Sequence, residues 1–258
     1  MTESPAAGLQ VLLSHLGLGG KWYRAQGALL ILAFEVAIIG SAVAEAFLER
    51  SLQIWPPLVL AAVWIIWTGW HSWLFPRNRR QYLRESAQPY RRAFLLDIFP
   101  WVSIGFSQMW RPLINGDNLG AILDRQPLPV GPAGVGLGLA LGVAALLVMI
   151  HAIRTIGIHN AAFLREFTES EAFVPIRTGI YGRILHPLFW SGILFSVGLA
   201  VAAPTMTSLT MAGINLVYGV LYNRLENIRL SRVYGPAYRA YISEVPSIIP
   251  RRGEHGAS

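Results

Sequence analysis

Residues 188–222 read LFWSGILFSVGLAVAAPTMTSLTMAGINLVYGVLY, and this stretch decides the fold. It holds no charged side chain and one proline, Pro204, near its middle. Proline lacks an N–H and its ring clashes with the preceding turn, so the run reads as two short helices that turn at Pro204. A hairpin apolar on every side belongs in a bilayer, where the backbone must satisfy its own hydrogen bonds.

Working outward, further runs at 27–47, 54–74, 93–111 and 132–153 approach the roughly 20 residues that cross a bilayer as helix. With the hairpin arms 188–203 and 205–222, the expected fold is all-α, a polytopic membrane helix bundle of about six transmembrane helices. Composition agrees: 53% of 258 residues are hydrophobic and 14% charged, too few charges for an ordinary soluble surface. The absence of cysteine excludes disulfides and thiolate metal sites. Residues 1–20 lack a basic segment ahead of their apolar stretch and read as a short cytosolic or interfacial helix rather than a secretory signal.

A net charge of +7 raises the question of nucleic acid, and placement answers it. With a cytosolic N-terminus, 18 of the 21 Lys and Arg fall in segments on the cytosolic side, against Arg50, Arg111 and Arg125 outside. That asymmetry is the positive-inside pattern of a membrane protein, with both termini cytosolic, as in a bacterial inner (plasma) membrane, and calls for no nucleic-acid partner. A re-entrant third run would invert everything downstream, so 93–111 is read as a span kinked near Pro100. Its Asp97, Ser103, Ser107 and Gln108 then face other helices. Residues 115–130, rich in Gly and Pro, form an outer loop.

Gly134, Gly138 and Gly142 repeat every four residues and form a face for close helix packing. Trp64, Trp67, Trp70 and Trp73 read as an aromatic belt with packing. Glu35, mid-span, needs a polar partner such as Asp97, whereas Glu45 and Glu49 read as ordinary charges near the outer end. His71, His151 and His159 do not share ligand spacing on one helix, which argues against a metal or haem site.

Beyond the hairpin, residues 223–233 continue as helix, Gly235 ends it and Pro236 opens another. The 236–243 segment, beside Arg251 and Arg252, reads as a C-terminal interfacial helix with Tyr238 and Tyr241 as membrane-surface anchors. The hairpin brings His186, just before it, and Glu226, just after it, to the same interface. Glu226, with Asn223 and Asn227 on nearby turns, offers acceptors for an ammonium or a ribose hydroxyl. His186 can donate to a carboxylate or act as a base near neutral pH. Tyr181, Tyr218 and Tyr222 could stack on an adenine. The bland readings are a helix-capping His186 and a Glu226 paired with Arg229.

The ordered set Gly179-x-Tyr181, His186-Pro187, Glu226, Tyr234-Gly235, Tyr238, Tyr241, Val245-Pro246 and Ile249-Pro250 resembles the isoprenylcysteine carboxyl methyltransferase and phospholipid methyltransferase family of integral membrane enzymes. The similarity starts near Arg154 and Gly157 and runs to about residue 250. It implies an S-adenosylmethionine-dependent membrane methyltransferase acting on a lipid-linked or hydrophobic small acceptor at the cytosolic interface. Tyr181, Arg183, His186, Asn223 and Glu226 would form the S-adenosylmethionine site, with His186 and Glu226 as the catalytic pair. Methyl transfer needs mainly alignment and desolvation, so a nucleophilic triad is not required.

Tyr234 stands where the family has Phe. Leu185 stands where it has Arg, and Asn227 where it has a second Glu. The last two departures cancel in charge, and removing both partners of a buried pair is tolerable where losing one is not. They suit either a repacked working site, with Arg183 as the replacement cation, or a catalytically inactive relative. The latter would serve as a structural subunit or assembly factor among other membrane subunits. The chain divides into N-terminal transmembrane helices, 1–130, and a methyltransferase-like region, 131–258.

Overall fold

The computed structural model describes residues 5–117, 131–168 and 175–247, and no strand occurs among them. Of the expected outer loop at 115–130, residues 118–130 lie outside the described residues, as do Arg125, Ile249-Pro250, Arg251 and Arg252. The longer helices are α1 (Pro5–His15), α2 (Tyr23–Leu52), α3 (Pro56–Glu85), α4 (residues 89–110), α5 (Gly131–Ile156), α6 (Pro187–Ala202) and α7 (Met206–Glu244).

Among the described residues, three helical stretches are long and apolar enough to cross a membrane: Gly20–Leu52, Pro56–Glu85 and Gly131–Ile156. Helix α6 is apolar but has only 16 residues. Helix α4 contains a π-turn at Phe94–Ile98, just before Pro100, and carries Asp97. Length and composition thus reach three of the six expected spans. The outer faces are apolar, with Leu32 and Val36 on α2, Ile65 on α3 and Leu147 on α5 all exposed. Such surfaces suit lipid, because a helix apolar all round is stable only where it is buried or in a bilayer. The chain is an integral membrane protein.

Glycines let two backbones touch. A Cβ on Gly138 would sit 2.3 Å from the Ala202 nitrogen, and one on Gly198 would sit 2.7 Å from the Gly142 nitrogen. The small-residue face of α5 therefore packs directly on α6.

Polar side chains tie the interior. Asn215 of α7 accepts from Trp64 Nε1 at 2.8 Å and donates to Ser196 Oγ at 2.7 Å and the Gln108 carbonyl at 3.0 Å, joining four helices. Asp97 accepts from Trp70 Nε1 at 3.1 Å, from Asn78 Nδ2 at 3.2 Å and from Tyr82 Oη at 2.7 Å. Its partners come from α3, and Glu35 lies exposed on α2 rather than paired with it.

Two expectations are corrected. Trp64, Trp67 and Trp70 are core, and only Trp73 is exposed, at 78%. A π-turn at Trp70–Leu74 widens the helix there and separates Trp73 from the stripe. Glu45 and Glu49 are not ordinary end charges. Arg111, wholly buried, pairs with both, and Glu49 also accepts from the Gly116 N–H at 2.9 Å. The turn after α4 folds over the end of α2 and seals these charges inside.

Candidate functional site at the base of the hairpin

Helix α6 starts at Pro187, whose missing N–H costs nothing at a first helical position. The residue before it, His186, sits in the left-handed region at φ 53°, which turns its side chain toward α7. Helix α7 opens with a reciprocal cap between Thr205 and Ser208, two residues after α6 closes at Ala203. This tight turn sets the register of the two arms. It brings residues 186 and 226–227 together at the other end of the hairpin.

His186 Nε2 lies 2.8 Å from Asn227 Oδ1, and Tyr238 Oη donates to the same oxygen at 2.9 Å. With a carbonyl oxygen as its partner, Nε2 carries the proton and Nδ1 is left as the acceptor. Burial pushes the His186 pKa below its ordinary value, outweighing the opposing pull of the nearby Glu226 carboxylate.

Glu226, one residue earlier, belongs to a charged arm. Arg229 grips it with two bonds, Nη2 to Oε1 and Nε to Oε2, each 2.8 Å. His71 Nε2 lies 2.9 Å from Oε2. Arg229 continues to Glu166 Oε1 at 3.0 Å. Burial alone would raise the Glu226 pKa, but Arg229 and His71 prevail and hold it well below the usual carboxylate range. Arg229 is pushed up in turn by Glu226 and Glu166, against the lowering effect of burial.

Sequence reasoning did not place His71 in this site. It enters from the π-turn of α3, stacked on Trp67 with ring centroids 5.1 Å apart and 3.2 Å from Tyr222 Oη. Such turns recur at functional sites, but no local sequence pattern announced this one.

The other expected residues divide. Asn223, 3% exposed, donates to the Gly219 carbonyl at 2.7 Å, and its buried Oδ1 has no hydrogen-bond partner among the described residues. Tyr181 accepts at its backbone carbonyl from Tyr241 Oη at 2.8 Å. Arg183 is exposed and makes no side-chain hydrogen bond or ion pair among the described residues, so the cation beside Glu226 is Arg229 instead. Tyr218 stacks on Trp64 at 3.9 Å and its hydroxyl meets Thr68 Oγ1 at 2.9 Å.

Both departures from the family pattern meet at one ring. Leu185, 1% exposed, packs with Tyr238, Tyr241 and Val245, while the hydroxyl of that same Tyr238 bonds Asn227. The Leu185 N–H donates to the Pro246 carbonyl at 2.9 Å, closing the C-terminal segment onto the hairpin base. Tyr238 and Tyr241 are therefore buried, at 3% and 5% exposure, and are not membrane-surface anchors. Gly235, at φ 64° and ψ −141°, makes the bend that folds them inward.

A groove of about 1860 Å³ runs between α3 and α7. Trp64 and Tyr218 line it, Ile65 and Val217 flank one end, and Arg79, Arg80 and Arg229 surround the other. A smaller hollow of about 470 Å³ lies beside Asn227, Gly235 and Arg239. Glu226 and His186 line neither; their partners Arg229 and Asn227 line the groove and the hollow respectively.

Residues 134–237 match the phospholipid methyltransferase family model. The match begins within α5, earlier than the motifs alone indicate, and ends just past the Gly235 bend, before Tyr238 and Tyr241. The resemblance carried by the motifs is thus shown over most of the region that builds the hairpin base. No curated protein and no solved structure matches the chain.

Proposed function

We propose that this chain is a membrane methyltransferase that uses S-adenosylmethionine to methylate a lipid-linked or hydrophobic small acceptor. The family match carries the reading, because it covers the hairpin whose base gathers His186, Asn223 and Glu226 next to a groove open along apolar helix faces. S-adenosylmethionine supplies an activated methyl group on a cationic sulfur.

The chain's own residues fit its polar groups. Asn223 Oδ1 is a buried acceptor with no partner among the described residues, one helical turn from an ionised Glu226, and together they suit an ammonium or a ribose hydroxyl. Tyr181 and Arg183 border the same base, and Arg183 is free to meet a carboxylate. His186, kept neutral by burial, can take a proton at Nδ1 from an acceptor that loses one on methylation. Arg229 must release part of its grip on Glu226 when a cation arrives there. The groove between α3 and α7 gives the acceptor a path from the bilayer.

In this reading α4, α6 and the first half of α7 complete six spans, and the basic end of the bundle faces the cytosol. The distribution of 18 of 21 basic residues supports that orientation. A rival reading, a non-catalytic subunit of a membrane complex, draws support from the full occupation of Glu226 by Arg229 and His71. Calorimetry of the purified chain in detergent with S-adenosylmethionine or S-adenosylhomocysteine separates the two. Micromolar binding that is lost in Glu226→Ala supports the enzyme. No binding at millimolar ligand sinks it and leaves the subunit.

A further inference from the structure

We infer that the groove between α3 and α7 is a binding site for a lipid with an anionic headgroup. Arg79, Arg80, Arg165, Arg229 and Arg232 line its mouth, where Glu166 is the one lining carboxylate among the described residues and Glu226 lies behind Arg229. Glu166 is already engaged by Arg229 Nη1 at 3.0 Å. Arg79 donates to the Glu166 backbone carbonyl and lies over the Phe167 ring at 5.7 Å, so its guanidinium is held in place. Arg80 and Arg232 have no side-chain partner among the described residues. A concave site walled by low-dielectric side chains and lined by one sign of charge concentrates the opposite charge.

The shape selects a lipid over a soluble anion. On α3 the lining runs from Ala61 to Arg80, and on α7 from Thr210 to Tyr234. At about 1.5 Å per residue the α3 wall is about 28 Å long, against about 15 Å for the hydrocarbon of one leaflet. Ala61, Ile65, Gly213 and Ile214 flank the end away from the arginines, where an acyl chain lies if the headgroup is at the mouth. That this lipid is the methyl acceptor rests on the function proposed above; that the groove binds an anionic lipid does not.

Native mass spectrometry of the full chain in detergent, titrated with phosphatidylglycerol or with phosphatidylcholine of the same acyl chains, tests the site directly. Phosphatidylglycerol should bind at least about tenfold more tightly. Arg80→Gln and Arg232→Gln should each weaken it about fivefold, whereas Arg77→Gln and Arg84→Gln, exposed and off the groove, should leave it unchanged. Equal affinity for the two lipids overturns the proposal, as does undiminished binding in the Arg80→Gln/Arg232→Gln double variant. Displacement of phosphatidylglycerol by millimolar inorganic phosphate overturns the lipid as occupant. Failure of S-adenosylhomocysteine to bind would remove the methyltransferase and leave these lipid results standing.

Discussion

His71 on α3 and Glu226 on α7, 155 residues apart, meet through a 2.9 Å hydrogen bond inside the bundle. The bond joins the N-terminal helices, which lie outside the family match, to the residue on which the proposed site depends. Glu226 takes two further bonds from Arg229, so His71 fixes where the carboxylate points more than whether it is ionised.

His71→Phe should therefore cost stability, because it removes a buried hydrogen bond to a charged group, about 1.5–3 kcal/mol. His71→Gln keeps a donor and should lose less. Thermal unfolding in detergent reads the difference. Equal stability of the two variants would show that the His71 bond contributes nothing beyond the space its ring fills.

His186 gives the site a pH dependence with a definite sign. Its folded pKa lies below the ordinary value near 6.5, so on acidification the unfolded chain takes up this proton first. Stability should fall as pH drops from about 6.5 toward the folded pKa, with a slope of at most about 1.4 kcal/mol per pH unit from this one group. Glu226, held well below its ordinary range, titrates in the opposite sense to a buried neutral acid: its contribution is present above about pH 4.3 and is lost only at stronger acidity. Unfolding profiles between pH 7.5 and 5.5 should be flatter in His186→Gln than in the parent chain. Superimposable profiles would show that His186 does not set the slope.

The elements that announced themselves are those with local causes. Pro204 splits the hairpin and Gly235 bends α7 because each residue restricts or frees its own backbone. The small-residue face at Gly138 and Gly142 packs because it repeats every four residues. What escaped depends on partners distant in sequence. Nothing near Arg111 shows that it will be sealed against Glu45 and Glu49, and nothing near His71 points to residue 226. Tyr238 and Tyr241 have the pattern of an amphipathic helix, which cannot distinguish a cover of lipid from one of protein, and here Leu185 covers them.

Sidedness is accessible because the chain has no cysteine of its own. In Gly120→Cys and His255→Cys, an impermeant thiol reagent applied to intact cells should label position 120 and spare 255. The reverse result would invert the topology and move the basic groove mouth to the outer face, contrary to the positive-inside rule.

Leu185 and Asn227 test whether the two departures from the family pattern form one compensated change. Tyr238 links them: its ring packs with Leu185 and its hydroxyl bonds Asn227 at 2.9 Å. Leu185→Arg alone would put a guanidinium into a pocket of two tyrosines and a valine, and an uncompensated buried charge costs about 3–5 kcal/mol. Asn227→Glu alone would add a carboxylate close to Glu226, with His186 and Tyr238 as its first hydrogen-bond partners. Together the new charges can pair around Tyr238, so the double variant should be more stable than the sum of the single losses by about 1–3 kcal/mol. Unfolding of all four members of the cycle in one detergent gives that coupling directly. A coupling near zero would mean that Leu185 and Asn227 arose independently, and the charge-balance argument for a repacked but working site would fall.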